Sequence, residues 1–198
     1  MDEGVTKFAC TWRPAPPPPG QAVAGLCRWR QRLHARGLVG HDRVHDVGFG
    51  NLSVRAPDGA LYVSGTQTGG TEVLGPEHVA RITDYDLEAN HVGCEGPVQA
   101  SSESLTHLAL YELGPGVGAV IHVHASELWA RLRGVVPTTD PAVPYGTPAM
   151  AREVARLARA HPGGGVIVMA GHPDGIVAYG VDLDDAGARL LAESEGSA

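Results

Sequence analysis

The stretch that most constrains this chain is Ala119-Val120-Ile121-His122-Val123-His124, a short, mainly β-branched run with two histidines one residue apart. Successive side chains of a strand point to opposite faces. His122 and His124 therefore project together, while Ile121 and Val123 face the other side, where they can be buried. Two imidazoles held in parallel on a stiff strand are half of a divalent-metal site. The plainer reading is a pair of ordinary polar residues on a half-exposed strand.

The rest of the chain punctuates itself with glycine and proline. Pro14-Ala15-Pro16-Pro17-Pro18-Pro19 favours polyproline II and lacks ladder donors. Residues 1–20 are therefore expected to be an arm outside a catalytic domain spanning 21–198. Val23, Leu26, Cys27, Arg30 and Leu33 recur at helical steps and predict a helix from Gln21 to about Arg36, stopped at Gly37. His41 to Gly48 reads as loop. Leu52–Arg55 and Ala60–Val63 flank Pro57-Asp58-Gly59 as a hairpin. Thr66 to Gly70 reads as loop, Pro76 to Ala80 as one helical turn and Ala80 to Glu88 as a strand. Helices are expected from Ser101 to about Leu113, from Ser126 to Arg133, from Thr147-Pro148 to about Ala160 and from Asp182 to Glu193. Gly165–Ala170 and Ile176–Tyr179 read as strands. Hairpins adjoin early and helices interleave late. The expected class is α/β, with one central, mainly antiparallel sheet covered by helices on both sides.

Composition narrows the partners. Fifteen Lys and Arg against 22 Asp and Glu give a net charge of −7, whereas a nucleic-acid binder carries a basic surplus. Cys10, Cys27 and Cys94 are odd in number and show no C-x-x-C spacing, so they suggest a reducing compartment, such as the cytoplasm, rather than a disulfide framework. No apolar run approaches the ~20 residues of a membrane span, and the N-terminus has no signal-peptide pattern.

His172 is the third candidate ligand, in Gly171-His172-Pro173-Asp174-Gly175 just past a buried-looking strand; alone it also reads as a turn histidine. His161 reads as an exposed turn. Catalytic zinc typically takes three protein ligands and keeps one open position. Glu103, in the first turn of its helix, is either a capping residue or an acid/base stabilised as the anion by the helix and a nearby cation. His107, four residues on, shares its face and either orients it or packs. Gly50-Asn51, Thr66-Gln67-Thr68-Gly69-Gly70 and Ser101-Ser102 look able to hold an oxyanion through backbone N–H groups and hydroxyls.

In order, Gly50 to Arg55, Thr66 to Gly69, Ser101-Ser102-Glu103 with His107 and Tyr111, Ala119 to His124, Tyr145-Gly146-Thr147 and Gly171-His172 with Gly175 resemble the class II aldolase/adducin family, over about residues 21–195. The resemblance is nearest to its metal-dependent sugar-phosphate aldolases. It implies a three-layer α/β/α sandwich with a largely antiparallel sheet, usually in a homotetramer. His122, His124 and His172 would bind a divalent ion, zinc above others, with Glu103 as acid/base and a possible fourth ligand. Asn51, Thr68, Gly69, Ser101 and Ser102 would hold a substrate phosphate. The implied reaction is retro-aldol cleavage of a phosphorylated ketose through a metal-stabilised enediolate. Epimerase, dehydratase and decarboxylase relatives, and a non-catalytic adducin-like scaffold, are the alternatives. Gln67 and Ala100 stand where the family often has proline. The short segment between Trp129 and Tyr145 lacks the tyrosine that serves the fuculose-phosphate enzymes as proton donor.

Overall fold

The computed structural model describes residues 7–44 and 46–196. Its strands are β1 (Ala9–Pro14), β2 (Gly40–Asp42), β3 (Val47–Phe49), β4 (Asn51–Arg55), β5 (Leu61–Ser64), β6 (Val79–Asp86), β7 (His91–Gly96), β8 (Ala119–His124), β9 (Gly164–Val168) and β10 (Gly175–Gly180). Its helices are α1 (Gly20–His34), α2 (Ser104–Tyr111), α3 (Ser126–Leu132), α4 (Pro148–Arg159) and α5 (Leu183–Glu195), with a 3₁₀ turn at Pro76–His78. Eight strands form one sheet in the order β1-β7-β6-β5-β4-β8-β10-β9, and β2 pairs with β3 separately. In the large sheet β1 and β7 run parallel and every other neighbouring pair is antiparallel.

Strand alternation produces the layers. Ala119, Ile121 and Val123 of β8 join Val23, Leu26, Trp29 and Leu33 of α1 and Leu183, Ala186 and Leu190 of α5 in one core. Val120 and, from β10, Val177 and Tyr179 join Leu105 and Leu108 of α2 and Met150, Val154 and Ala158 of α4 in the other. His122 and His124 share the face of Val120, toward α2 and α4. The central strands of the sheet are thus buried on both faces, as the α/β/α expectation requires.

Local chemistry sets the helix ends. Thr147 Oγ1 accepts the Met150 N–H at 3.2 Å with Pro148 at the first position of α4, and Asp182 Oδ1 accepts the Asp185 N–H at 2.8 Å at the start of α5. After α1, Gly37 sits at φ 69°, and the Leu38 N–H donates to Leu33 O at 3.1 Å.

Four stretches differ from the sequence reading. Ala9–Pro14, expected as part of an arm, is the edge strand β1, and the adjacent Phe8 is buried. An edge strand tolerates Pro14 because it needs donors on one side only. His41 to Gly48, read as loop, carries most of the β2–β3 hairpin. β7 went unread because Gly93 and Gly96 interrupt its pattern. A Cβ on Gly93 would lie 2.2 Å from the exposed Asp84 carboxylate, which would have to turn away. Finally, α2 begins at Ser104 rather than Ser101. The Ser101 carbonyl, not its hydroxyl, accepts the Ser104 N–H and Oγ–H, at 3.0 and 2.6 Å. Among the described residues no helix is long and apolar enough to cross a membrane.

Candidate metal centre and anion cleft

Register brings distant residues to the end of β8. Asn51 of β4 pairs with His122, and Gly175 of β10 pairs with His124. His172 lies in the tight β9–β10 connection, where the His172 N–H donates to Met169 O and the Gly175 N–H to His172 O, each at 3.0 Å. Glycines let this turn close. A Cβ on Gly175 would meet the His172 ring at 2.9 Å, and one on Gly171 would meet Val143 O at 1.8 Å. The His172 ring therefore sits 5.0 Å from that of His122 and 4.7 Å from that of His124. His122 and His172 are buried and His124 is half-buried.

One ring nitrogen from each of the three histidines lies within 4.8 Å of the others, and His122 Nε2 and His124 Nε2 are 3.0 Å apart. Two nitrogens bound tetrahedrally to one zinc-sized ion stand roughly 3.4 Å apart, so the spacing suits a shared cation. The tautomer also fits. His122 Nδ1 donates to Ile176 O at 3.2 Å, which leaves the Nε2 lone pair turned toward the other rings. Burial, then the neighbouring His124, His172 and His107 rings, hold His122 well below the ordinary imidazole range. It is thus neutral, the form that ligates. An all-imidazole donor set suits zinc-like transition metals better than calcium or magnesium.

The cleft in front of the imidazoles is lined by Asn51, Thr66 to Gly69, Ser101, Ser102, Glu103, Phe49 and Tyr145. The three oxyanion segments expected from the sequence are thus brought to one place. The Thr66 N–H donates to Gln99 O at 2.9 Å, and this tie keeps the Thr66 turn beside Ser101. Glu103 is buried and accepts a hydrogen bond from Thr106 Oγ1 at 3.3 Å. It lines the cleft but is not among the ligand atoms grouped within 4.8 Å. His107 is packed: Ser53 Oγ lies 2.7 Å from its Nδ1 and 2.8 Å from Tyr111 Oη. Burial lowers the His107 imidazole to about 3 and raises the Tyr111 phenol.

Two ring contacts escaped the sequence reading. Tyr145 stacks on His172 at 4.1 Å and 10°, with Lys7 Nζ over the phenol ring, 3.6 Å from its centroid. Phe49 lies 5.7 Å from the His124 ring. The Pro144-Tyr145-Gly146 turn is a signal for the first; nothing local marks Phe49. Gln67 adopts φ 58°, a conformation closed to proline, which accounts for the missing proline of the loop.

Fold and site together define an α/β/α head with a three-histidine cluster compatible with a divalent metal, set in a polar cleft. The chain belongs to the class II aldolase and adducin N-terminal domain family, whose model matches residues 30–195. It is 33% identical over 167 residues to 3-oxo-tetronate 4-phosphate decarboxylase of Haemophilus influenzae, covering 74% of each chain. It is also 33% identical over 109 residues to methylthioribulose-1-phosphate dehydratase of Gluconobacter oxydans, covering 54% of this chain and 45% of that one. Among solved structures, YgbL of Klebsiella pneumoniae superposes with a TM-score of 0.67 at 24% identity over 88% of this chain and 86% of that one. An L-fuculose 1-phosphate aldolase gives 0.67 at 19% over 91% and 84%. These two likenesses establish the fold.

Proposed function

We propose that the chain is a divalent-metal-dependent enzyme of phosphorylated sugar acids, with decarboxylation of a 3-oxo acid phosphate as its reaction. The observation that carries the proposal is the convergence of His122, His124 and His172 in a cleft walled by Glu103 and three turns rich in N–H and hydroxyl groups. Zinc is the proposed cation, and when bound by the three imidazoles it supplies Lewis-acid stabilisation of negative charge developing on substrate oxygens. Asn51, the Thr68-Gly69 backbone, Ser101 and Ser102 are assigned to the substrate phosphate, fixing the reacting carbons against the imidazoles. Loss of carbon dioxide leaves an electron pair on the carbon beside the carbonyl. Glu103, in its protonated form, delivers a proton to that carbon and regains one from water.

The relatives at 33% identity are a decarboxylase and, over about half the chain, a dehydratase. Decarboxylation therefore replaces retro-aldol cleavage as the leading reaction, and dehydration stands second. The test supplies zinc-loaded protein with 3-oxo-tetronate 4-phosphate, methylthioribulose 1-phosphate and fuculose 1-phosphate in parallel, and identifies products by NMR. Carbon dioxide and dihydroxyacetone phosphate from the first are expected. Turnover confined to the second or third compound overturns decarboxylation.

A further inference from the structure

Arg30 is the anomaly of α1. It occupies a helical position among apolar residues, is 2% exposed, and makes no ion pair among the described residues. Burial alone lowers its guanidinium to about 10. A buried cation without a countercharge is costly, so such an arrangement calls for a reason. Its hydrogen bonds give one. Nη2 donates to Thr68 O at 3.1 Å and to Gly69 O at 2.7 Å, both in the turn that lines the cleft, while Nη1 is buried with no partner among the described residues.

We propose that Arg30 is a positioning residue for anion binding, which clamps the Thr68 and Gly69 carbonyls from behind so that the opposite edges of those peptides face the substrate's phosphate. The inference rests on the reading of this cleft as a phosphate site. In a trans peptide the C=O and the following N–H point in opposite directions. Holding Thr68 O and Gly69 O toward Arg30 therefore turns the Gly69 and Gly70 N–H groups away from it. The Thr68 hydroxyl donates to Gly65 O at 2.8 Å, so its proton is already committed. What this turn offers an anion is its backbone N–H groups. Their direction is set by Arg30 together with the Thr71 N–H, which donates to Thr68 O at 3.1 Å. On the other flank Gly69 is pressed against the β2–β3 hairpin, where a Cβ would lie 2.1 Å from Gly40 O. The turn is thus gripped between a guanidinium and a backbone. The same guanidinium places a positive charge behind the anion, for which a bound phosphate would be a countercharge.

The test titrates inorganic phosphate into the full chain, with zinc and again after chelation so that phosphate at the cation is not counted, by calorimetry and thermal melting. Wild type is compared with Arg30→Met and Arg30→Lys. Arg30→Gln, which keeps one donor without charge, serves should the Met variant not fold. Losing a unit charge several ångströms away in a partly buried site is expected to weaken phosphate binding about tenfold or more in the neutral variants. Arg30→Lys keeps the charge without the two-donor fork and is expected to lose roughly threefold. Zinc affinity should stay within about twofold, since no imidazole is touched. In turnover, KM for a phosphorylated substrate should rise more than kcat falls. Equal phosphate affinity in wild type and the variants overturns the inference. Absence of phosphate binding by wild type overturns instead the reading on which it rests.

Discussion

Acid should unfold the metal-free protein partly through His107. This histidine is 1% exposed, bonded through Nδ1 to Ser53, and its Nε2 has no partner among the described residues. Burial lowers it from 6.5 to about 3 in the folded state. Below pH 6.5 the unfolded chain therefore takes up a proton that the folded chain refuses, and stability falls as pH drops toward about 3. The slope is about 1.4 kcal/mol per pH unit, or roughly 5 kcal/mol across the window, comparable with the whole stability of a domain. Urea unfolding from pH 7 to pH 4 in the presence of a chelator measures it. Carboxylates also contribute, equally in a His107→Gln variant, and the burial that dominates the His122 shift persists there, so the difference between the two proteins is chiefly that of His107. The wild type should lose about 1.4 kcal/mol per pH unit more than the variant between pH 6 and pH 4. The variant, less stable at pH 7, should draw level as the pH falls. Parallel pH profiles would refute the account of His107 as a neutral, desolvated imidazole.

Other changes have equally definite outcomes. Glu103→Gln should keep zinc at one equivalent while lowering turnover about 10²–10⁴-fold, measured by carbon dioxide release; unchanged turnover would remove Glu103 from proton transfer. Gly171→Ala puts a methyl where Val143 O stands 1.8 Å away, so chemical denaturation should register a loss of about 2–3 kcal/mol. Zinc affinity should fall with it, because that turn seats His172. Gln67→Pro, which restores the residue more usual in the family, should destabilise the chain because Gln67 sits at φ 58°; Gln67→Gly should stabilise it by about 1 kcal/mol in the same assay.

The parts of the fold that could be read from the sequence were those with a strong period or a sharp stop. β8 alternates buried apolar residues with histidines, α4 opens on Thr147-Pro148, and α5 opens on Asp182; each appears where the residues placed it. The three histidines were legible as a pair plus a candidate. Only register, with Gly175 opposite His124, explains why His172 joins them. β1 and β7 were not legible. One is exposed on nearly every residue and ends in proline, the other is broken by glycines, and each takes its strand conformation from its neighbour in the sheet. Arg30 fitted the helical period as though it were an apolar residue. Its contact with the Thr68 turn joins positions 38 residues apart, and no local pattern encodes it. Tyr145 and Phe49 belong to the same class of long-range contact.

The measurement nearest the centre of this account is metal content per chain after zinc loading and dialysis, compared among wild type, His122→Ala and His172→Ala. One equivalent in the wild type and less than about a tenth in each variant is expected of three imidazoles sharing one ion. A wild-type chain that retains no divalent metal, or variants that retain as much as the wild type, would contradict it.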